Sequence, residues 1–155
     1  SLSTCGLCEN IKKLADDGYK ITLTISLHSA IDQIRKSIMP IANKYKVADI
    51  VEAAKYYFKK TGRRVIYEYA LIKDVNMDEE SLQALVNITK GYSCHINLIM
   101  LNYVKEKGLK PCTREQAKEF EIKLKKHNVS VTIRRSMGSD IEGACGQLRN
   151  NYLST

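Results

Sequence analysis

Cysteine is the most nucleophilic uncharged side chain a protein carries, and this sequence holds five: Cys5, Cys8, Cys94, Cys112 and Cys145. Cys145 stands apart from the rest. It lies between Ala144 and Gly146, where a substrate would meet little steric obstruction, and it follows the turn Gly138-Ser139-Asp140 and the basic pair Arg134-Arg135. Nearby positive charge favours the thiolate, the reactive form of the side chain. A tail cysteine beside glycine can also be merely tolerated, so these neighbours leave a catalytic and a passive role open. Cys5-Gly6-Leu7-Cys8 has the two-residue gap of a zinc or redox pair, but no second pair completes four ligands. Packing is the expected role of both, and Cys94, beside an apolar strand, reads as a small core hydrophobe. The histidines His28, His95 and His127 lack metal-ligand spacing to one another, and no residue is assigned to a metal. The absence of a glycine-rich phosphate loop removes the P-loop and dinucleotide fingerprints.

An odd number of irregularly spaced cysteines argues against a secreted disulfide framework and for a reducing, cytoplasmic setting. The 155 residues, 44% hydrophobic and 27% charged, fit a single soluble domain over 1–155. No apolar run reaches the roughly eighteen residues that a membrane span requires. The 25 Lys and Arg exceed the 17 Asp and Glu to give a net charge of +8. That excess suits a polyanionic partner, although a solvated basic surface would carry it equally well. Ser1-Leu2-Ser3-Thr4-Cys5 lacks the basic and apolar regions of a signal peptide. It reads as the end of a strand, so the chain is expected to be part of a longer one, truncated before Ser1.

The elements that would position these residues alternate in type. Ile21-Thr22-Leu23-Thr24-Ile25 alternates and is β-branched, predicting a strand. From Val47 to Lys60, Ile50, Val51, Ala54, Tyr57 and Phe58 share one helical face, and Gly62 ends that helix. Val65 to Ile72 predicts a second strand, and a helix over about 78–89 buries Leu82, Leu85, Val86 and Thr89. Ile96 to Leu101 predicts another strand, and a helix over about 113–127 opens on the capping box Thr113–Gln116. Val129 to Arg134 makes a last strand, while the front end offers a strand terminus at Leu2-Ser3 and a short helix carrying Ile11, Leu14 and Ala15. Strands separated by helices imply an α/β protein with a parallel sheet and helices packed outside it. Four or five βα units are too few for a closed eight-stranded barrel. They fit a partial or open (β/α) barrel, and a small doubly wound domain would have the same periodicity.

In parallel βα architectures, reactive residues gather at the carboxyl ends of the strands. Those ends read Ser3-Thr4, then Ser26-Leu27-His28, then Asn102, then Arg134-Arg135-Ser136. Each polar cluster begins as an apolar strand finishes, which marks a candidate site. Polar loops follow strands in any protein, so the coincidence alone does not decide the matter.

Taken in order, a longer series of motifs is recognisable. It runs Ser3-Thr4-Cys5-Gly6, Ile25-Ser26-Leu27-His28, Arg35 to Met39-Pro40-Ile41, Thr61-Gly62-Arg63-Arg64-Val65, Tyr67-Glu68-Tyr69 and Ile96-Asn97-Leu98-Ile99. Val104-Lys105-Glu106, Val131-Thr132-Ile133-Arg134-Arg135, Gly138-Ser139-Asp140-Ile141 and Ala144-Cys145-Gly146-Gln147-Leu148 complete it. The series resembles the C-terminal half of the radical-S-adenosylmethionine methyltransferases that modify adenine carbon-2 in ribosomal and transfer RNA, whose relatives methylate carbon-8. The resemblance implies the C-terminal portion of a partial (β/α) barrel of radical-SAM type. Ser3, Ser26, Leu27, His28 and Asn102 match positions that contact S-adenosylmethionine, and Cys145 matches the cysteine that accepts a methyl group from it. In such enzymes a second S-adenosylmethionine is cleaved reductively at a [4Fe-4S] cluster. The radical so formed takes a hydrogen from the methylated cysteine, and the carbon radical adds to the adenine.

The partners implied are large-subunit ribosomal RNA, with transfer RNA as a further target, and an electron donor for the cluster; no membrane is implied, and the protein is expected to be a monomer. The cluster's Cys-x3-Cys-x2-Cys loop and the upstream resolving cysteine are absent from this sequence. The chain alone is therefore expected to be inactive. Met100, Tyr103, Cys8-Glu9, Met77 and Ser81 depart from the family pattern, which leaves the RNA target and the choice of carbon-2 or carbon-8 open. A catalytically inactive RNA-binding module of the same fold, and a βα-barrel enzyme acting on a small substrate, are the other readings.

Overall fold

In the computed structural model, which describes residues 1–101 and 108–134, five strands run parallel. They are β1 (Leu2–Thr4), β2 (Leu23–Ser26), β3 (Val65–Lys73), β4 (Cys94–Met100) and β6 (Val131–Arg134), adjacent in that order. A two-residue strand, β5 (Lys110–Pro111), pairs antiparallel with the end of β3. The helices α1 (Cys8–Asp16), α2 (Asp32–Ile38), α3 (Val47–Thr61), α4 (Glu79–Ile88) and α5 (Arg114–Lys126) lie between strands, with a 3-10 turn at Pro40–Asn43.

Spatial order follows chain order without reversal. Right-handed crossovers then carry successive helices to the same face of the sheet. A doubly wound domain requires a reversal in strand order, with helices on both faces, so the partial barrel is the correct alternative. One core confirms it: Leu23, Ile25, Val65, Tyr67, Ile96, Leu98 and Val131 of the strands pack with Ile11, Ile50, Leu85, Phe120 and Leu124 of α1, α3, α4 and α5. A smaller cluster at the carboxyl end joins Ile38, Met39 and Ala42 to Ala70, Ile72 and Leu101.

Local signals place the helix ends. Gly62 caps α3 in the left-handed region at φ 69°, where a residue without Cβ meets no steric penalty. Thr113 and Gln116 exchange the two hydrogen bonds of a capping box, at 3.1 and 2.9 Å. Three buried tyrosines carry their hydroxyls to partners: Tyr57 to the Ile21 carbonyl, Tyr67 to the Tyr92 hydroxyl at 2.6 Å, and Tyr69 to the Asn76 carbonyl at 2.6 Å. Burial pushes the Tyr67 and Tyr69 hydroxyls well above their ordinary range.

Helix α2 delivers an unusual core residue. Arg35 is fully buried, and its guanidinium closes the carboxyl ends of β1 and β2. Nε donates to the Leu27 carbonyl at 3.1 Å, and Nη2 donates to the Cys5 carbonyl at 2.8 Å and to the Ser26 carbonyl at 3.4 Å. Burial lowers its pKa, opposed by the nearby Cys5 and Asp32. Removing the guanidinium would strand these carbonyls in a site with little water. Arg35→Leu is therefore expected to lower unfolding stability by about 2–5 kcal/mol, as measured by urea denaturation.

Candidate functional site

The sheet has two chemically different faces. Apolar residues of each strand turn toward the helices, and the alternate residues face the concave side. Strand register places Ser26, Glu68, Asn97 and Thr132 in one row across β2, β3, β4 and β6, with Ser3, Thr24, Ile66 and His95 in a neighbouring row. Parallel sheets are usually apolar on both faces because both are packed. A polar concave face suits a surface that lines a ligand cavity.

Side chains on this face are linked to one another. Arg134 Nη1 reaches Glu68 Oε1 at 3.2 Å, spanning β4. The Thr132 hydroxyl donates to Asn97 Oδ1 at 3.1 Å. With its single proton so used, Thr132 accepts from His95 Nε2 at 2.9 Å, and His95 Nδ1 accepts from the Ser130 hydroxyl at 2.7 Å. Burial and the charge of Arg64 lower the His95 pKa, in keeping with this neutral tautomer.

The carboxyl end of β2 is held by a second set of bonds. The backbone N–H groups of Leu27 and His28 both donate to the Glu68 carbonyl, at 3.0 and 3.1 Å. His28 adopts a left-handed backbone at φ 59°, and its Nδ1 accepts from the Ala70 N–H at 3.0 Å. The buried Asn76 carboxamide fixes the same turn. Its Nδ2 donates to the His28 and Ala70 carbonyls, each at 2.7 Å, and its Oδ1 accepts from the Ile72 N–H at 2.9 Å. Burial, aided by the Arg35 charge, lowers the His28 pKa to about 4. The ring is thus neutral near pH 7, with the proton on Nε2 because Nδ1 is an acceptor.

Of the residues expected at the site, Ser3 is exposed and Ser26 is buried on the concave side of the sheet, two residues apart in register. The Leu27 side chain belongs to the helix-side core. The His28 ring ties β2 to β3. Asn102 and Cys145 lie outside the described residues, as do Arg135 and Ser136. Arg134 stands among the strand ends that the sequence marks, whereas the concave-face roles of Glu68, His95, Asn97 and Thr132 are not assigned there. The alternation Tyr67-Glu68-Tyr69 and Ile96-Asn97-Leu98 was the available signal. Asn76 carries no such signal, since it falls between the strand expected to end at Ile72 and the helix expected from about residue 78.

The donor set fits part of the implied chemistry. Ser3 and Ser26 fall on the concave side by register, and a hydroxyl both donates to and accepts from polar groups such as those of S-adenosylmethionine. An iron–sulfur cluster is not provided for: among the described residues, no three His, Cys, Asp or Glu side chains gather to hold a metal ion. Burial raises the Cys5, Cys8 and Cys112 thiols, and raises Cys94 to about 11, which suppresses the thiolate a metal needs. No helix among the described residues is long and apolar enough to cross a membrane.

The fold is the α/β partial barrel of radical-SAM type. The chain superposes on a radical SAM methyltransferase from Sphaerobacter thermophilus with a TM-score of 0.85 and 36% identity, covering 94% of this chain and 42% of that one. A domain of pyruvate-formate lyase-activating enzyme from Bacteroides vulgatus shares the fold at a TM-score of 0.65 and 16% identity, covering 86% of this chain and 79% of that one. No family model matches the sequence.

Curated relatives narrow the class. A probable dual-specificity RNA methyltransferase RlmN from Clostridium novyi is 51% identical over 153 residues, covering 99% of this chain and 45% of the relative. Its namesake from Lachnospira eligens is 48% identical over 153 residues, covering 99% of this chain and 44% of the relative. Over almost its whole length the chain is similar to these radical-SAM and RNA methyltransferases. It spans a little under half the length of these relatives.

A pH dependence follows from the neutral His28. The unfolded histidine binds a proton below about pH 6.5, whereas the folded one resists protonation until about pH 4. Its contribution is complete above pH 6.5 and is lost as the pH falls through that window. Between pH 7.5 and 5, wild-type stability should fall by about 2 kcal/mol more than that of His28→Asn, on the scale of 1.36 kcal/mol per unit. Denaturant unfolding at the two pH values measures the difference.

Proposed function

We propose that this chain is part of an RNA methyltransferase that modifies carbon-2 of an adenine in large-subunit ribosomal RNA, with transfer RNA as a second substrate. The observation that carries this reading is the 51% identity maintained over 99% of the chain to a protein named a dual-specificity RNA methyltransferase. The 36% identity to a radical SAM methyltransferase structure supports the same chemistry. In this reading the chain forms the C-terminal part of the catalytic core. It works in the cytoplasm as a monomer, with an electron donor that serves a [4Fe-4S] cluster held outside the described residues.

The chemical need is plain. The target ring carbon is not nucleophilic, so a polar methyl transfer does not reach it and a cofactor must supply the hard step. When bound, S-adenosylmethionine supplies the one-carbon unit and the radical. The hydroxyls of Ser3 and Ser26, the chain turn at Leu27-His28 and the amide of Asn102 hold that cofactor. His28 and Asn76 keep the turn in one conformation. Cys145 carries the methyl group, and tethering it on a protein sulfur fixes it against the target. The adenine enters only after leaving its stack.

Two substitutions in the complete, cluster-loaded protein test the roles. Cys145→Ala should abolish adenine methylation, read by mass spectrometry of the RNA, and a normal rate would remove Cys145 from the mechanism. Asn102→Ala should weaken S-adenosylmethionine binding about tenfold, the equivalent of 1.4 kcal/mol. Unchanged affinity by calorimetry would exclude it from the site.

A further inference from the structure

The two ends of the sheet differ in how charge is mixed, for the carboxyl end carries the exposed cations Lys73, Lys110 and Arg114 among its carboxylates. At the carboxyl end, carboxylates occupy the first turns of helices: Asp32 on α2, Glu79 and Glu80 on α4, and Glu115 on α5. At the amino end, cations gather in the segments that lead into three adjacent strands. Lys59, Lys60, Arg63 and Arg64 precede β3, Lys90 precedes β4, and Lys125 and Lys126 precede β6, all exposed. The segments meet, because the Val65 N–H donates to the Ser93 carbonyl at 3.3 Å and the Ile96 N–H to the Ser130 carbonyl at 2.9 Å.

Helix polarity explains only part of this rim. Cations in the last turns of α3 and α5 complement the helix dipoles, which accounts for Lys59, Lys60, Lys125 and Lys126. It does not account for Arg63 and Arg64, which lie beyond the cap at Gly62, or for Lys90 beyond α4. Lys125 pairs with Glu121 at 2.9 Å, and Lys60 lies over the Tyr56 ring. Lys59, Arg63, Arg64, Lys90 and Lys126 form no ion pair among the described residues. The nearest carboxylates in sequence at this end, Asp16 and Asp17, precede β2, and Asp16 accepts from the Tyr56 hydroxyl. Like charges left together without counter-ions repel one another, a cost that an external polyanion removes.

We propose that this amino-end rim docks the sugar–phosphate backbone of the RNA, at a stretch remote from the base being modified. The proposal rests on the RNA methyltransferase reading and locates a contact that the reading leaves unplaced. A protein partner fits less well. Protein interfaces have an apolar centre, and the exposed large hydrophobics among the described residues, Leu2, Tyr19 and Ile122, lie outside the three segments. Phosphate contacts need only donors and charge. The nine residues of β3 separate the rim from the carboxyl end by roughly 30 Å, at about 3.3 Å per residue. A folded RNA can bridge that distance, whereas a short oligonucleotide seated at the carboxyl end does not.

The test compares the complete protein with its Lys59→Gln/Lys60→Gln/Arg63→Gln/Arg64→Gln variant, whose thermal midpoint confirms folding at these exposed positions. Fluorescence anisotropy measures binding of a folded transfer RNA and of a short single-stranded oligoadenylate over a series of salt concentrations. The variant should bind the folded RNA at least tenfold more weakly at about 0.1 M salt. Its log–log salt slope should be shallower by about 0.7–0.9 for each phosphate that the variant no longer neutralises. Oligoadenylate and S-adenosylmethionine binding should be unchanged. Folded-RNA affinity and slope equal to wild type would overturn the proposal and leave the methyltransferase reading standing. Unchanged RNA binding together with weaker capture of an acidic protein partner would overturn it in favour of a protein-docking surface. A wild-type protein that binds neither RNA nor S-adenosylmethionine would overturn both.

Discussion

The carboxyl end of the sheet depends on one buried carboxamide. Asn76 answers the carbonyls of His28 and Ala70 and the N–H of Ile72, so it joins the turn after β2, the body of β3 and the loop after β3. No hydrophobic contact could substitute, because each group it meets is a backbone dipole that would otherwise be buried unpaired. The left-handed backbone at His28 is tolerable for the same reason. That conformation is disfavoured for a side chain larger than glycine, and it persists here because the ring, the carbonyl and the N–H are each bonded. A strained turn held by several bonds is well suited to present main chain and hydroxyls in a fixed geometry.

Arg35 does the corresponding task from the other side. Its guanidinium lies beneath the same turn and gathers carbonyls from the ends of β1 and β2. A buried cation is costly unless its donors are matched, and three carbonyl dipoles supply most of that match. The same charge makes protonation of His28 less favourable. A structural residue in the core thereby helps set the protonation state of a residue at the site.

The sequence made the regular elements legible because their hydrophobic periods are strong and their ends are marked. Tyr57 and Ile50 repeat at helical spacing beneath α3, and Gly62 and Thr113 act as the caps their residue types indicate. Short elements escaped. Helix α2 has seven residues, its N-cap, Ile31, makes no side-chain cap bond, and its buried face includes an arginine, a residue type that normally indicates solvent. Strand β5 is two residues long and exists only through its pairing with β3. At the site, Ser3 and Ser26 could be read as polar residues finishing apolar strands. Alternation sets Glu68 and Asn97 apart from their apolar neighbours, but only register places them beside Ser26 and Thr132. Asn76 was beyond reach, since nothing local distinguishes a loop asparagine in water from one that is buried and bonded on all sides.

The buried tyrosines give the molecule an optical property. The sequence contains nine tyrosines and no tryptophan, so its near-ultraviolet absorption and emission come chiefly from phenol rings. Tyr57, Tyr67 and Tyr69 are fully buried, two against strand or loop carbonyls and one against the hydroxyl of Tyr92. These chromophores lie where the helices meet the sheet, and their hydroxyls are bonded only while that seam is intact. Tyrosine emission in this chain therefore carries a signal from the helix–sheet seam, without any introduced label.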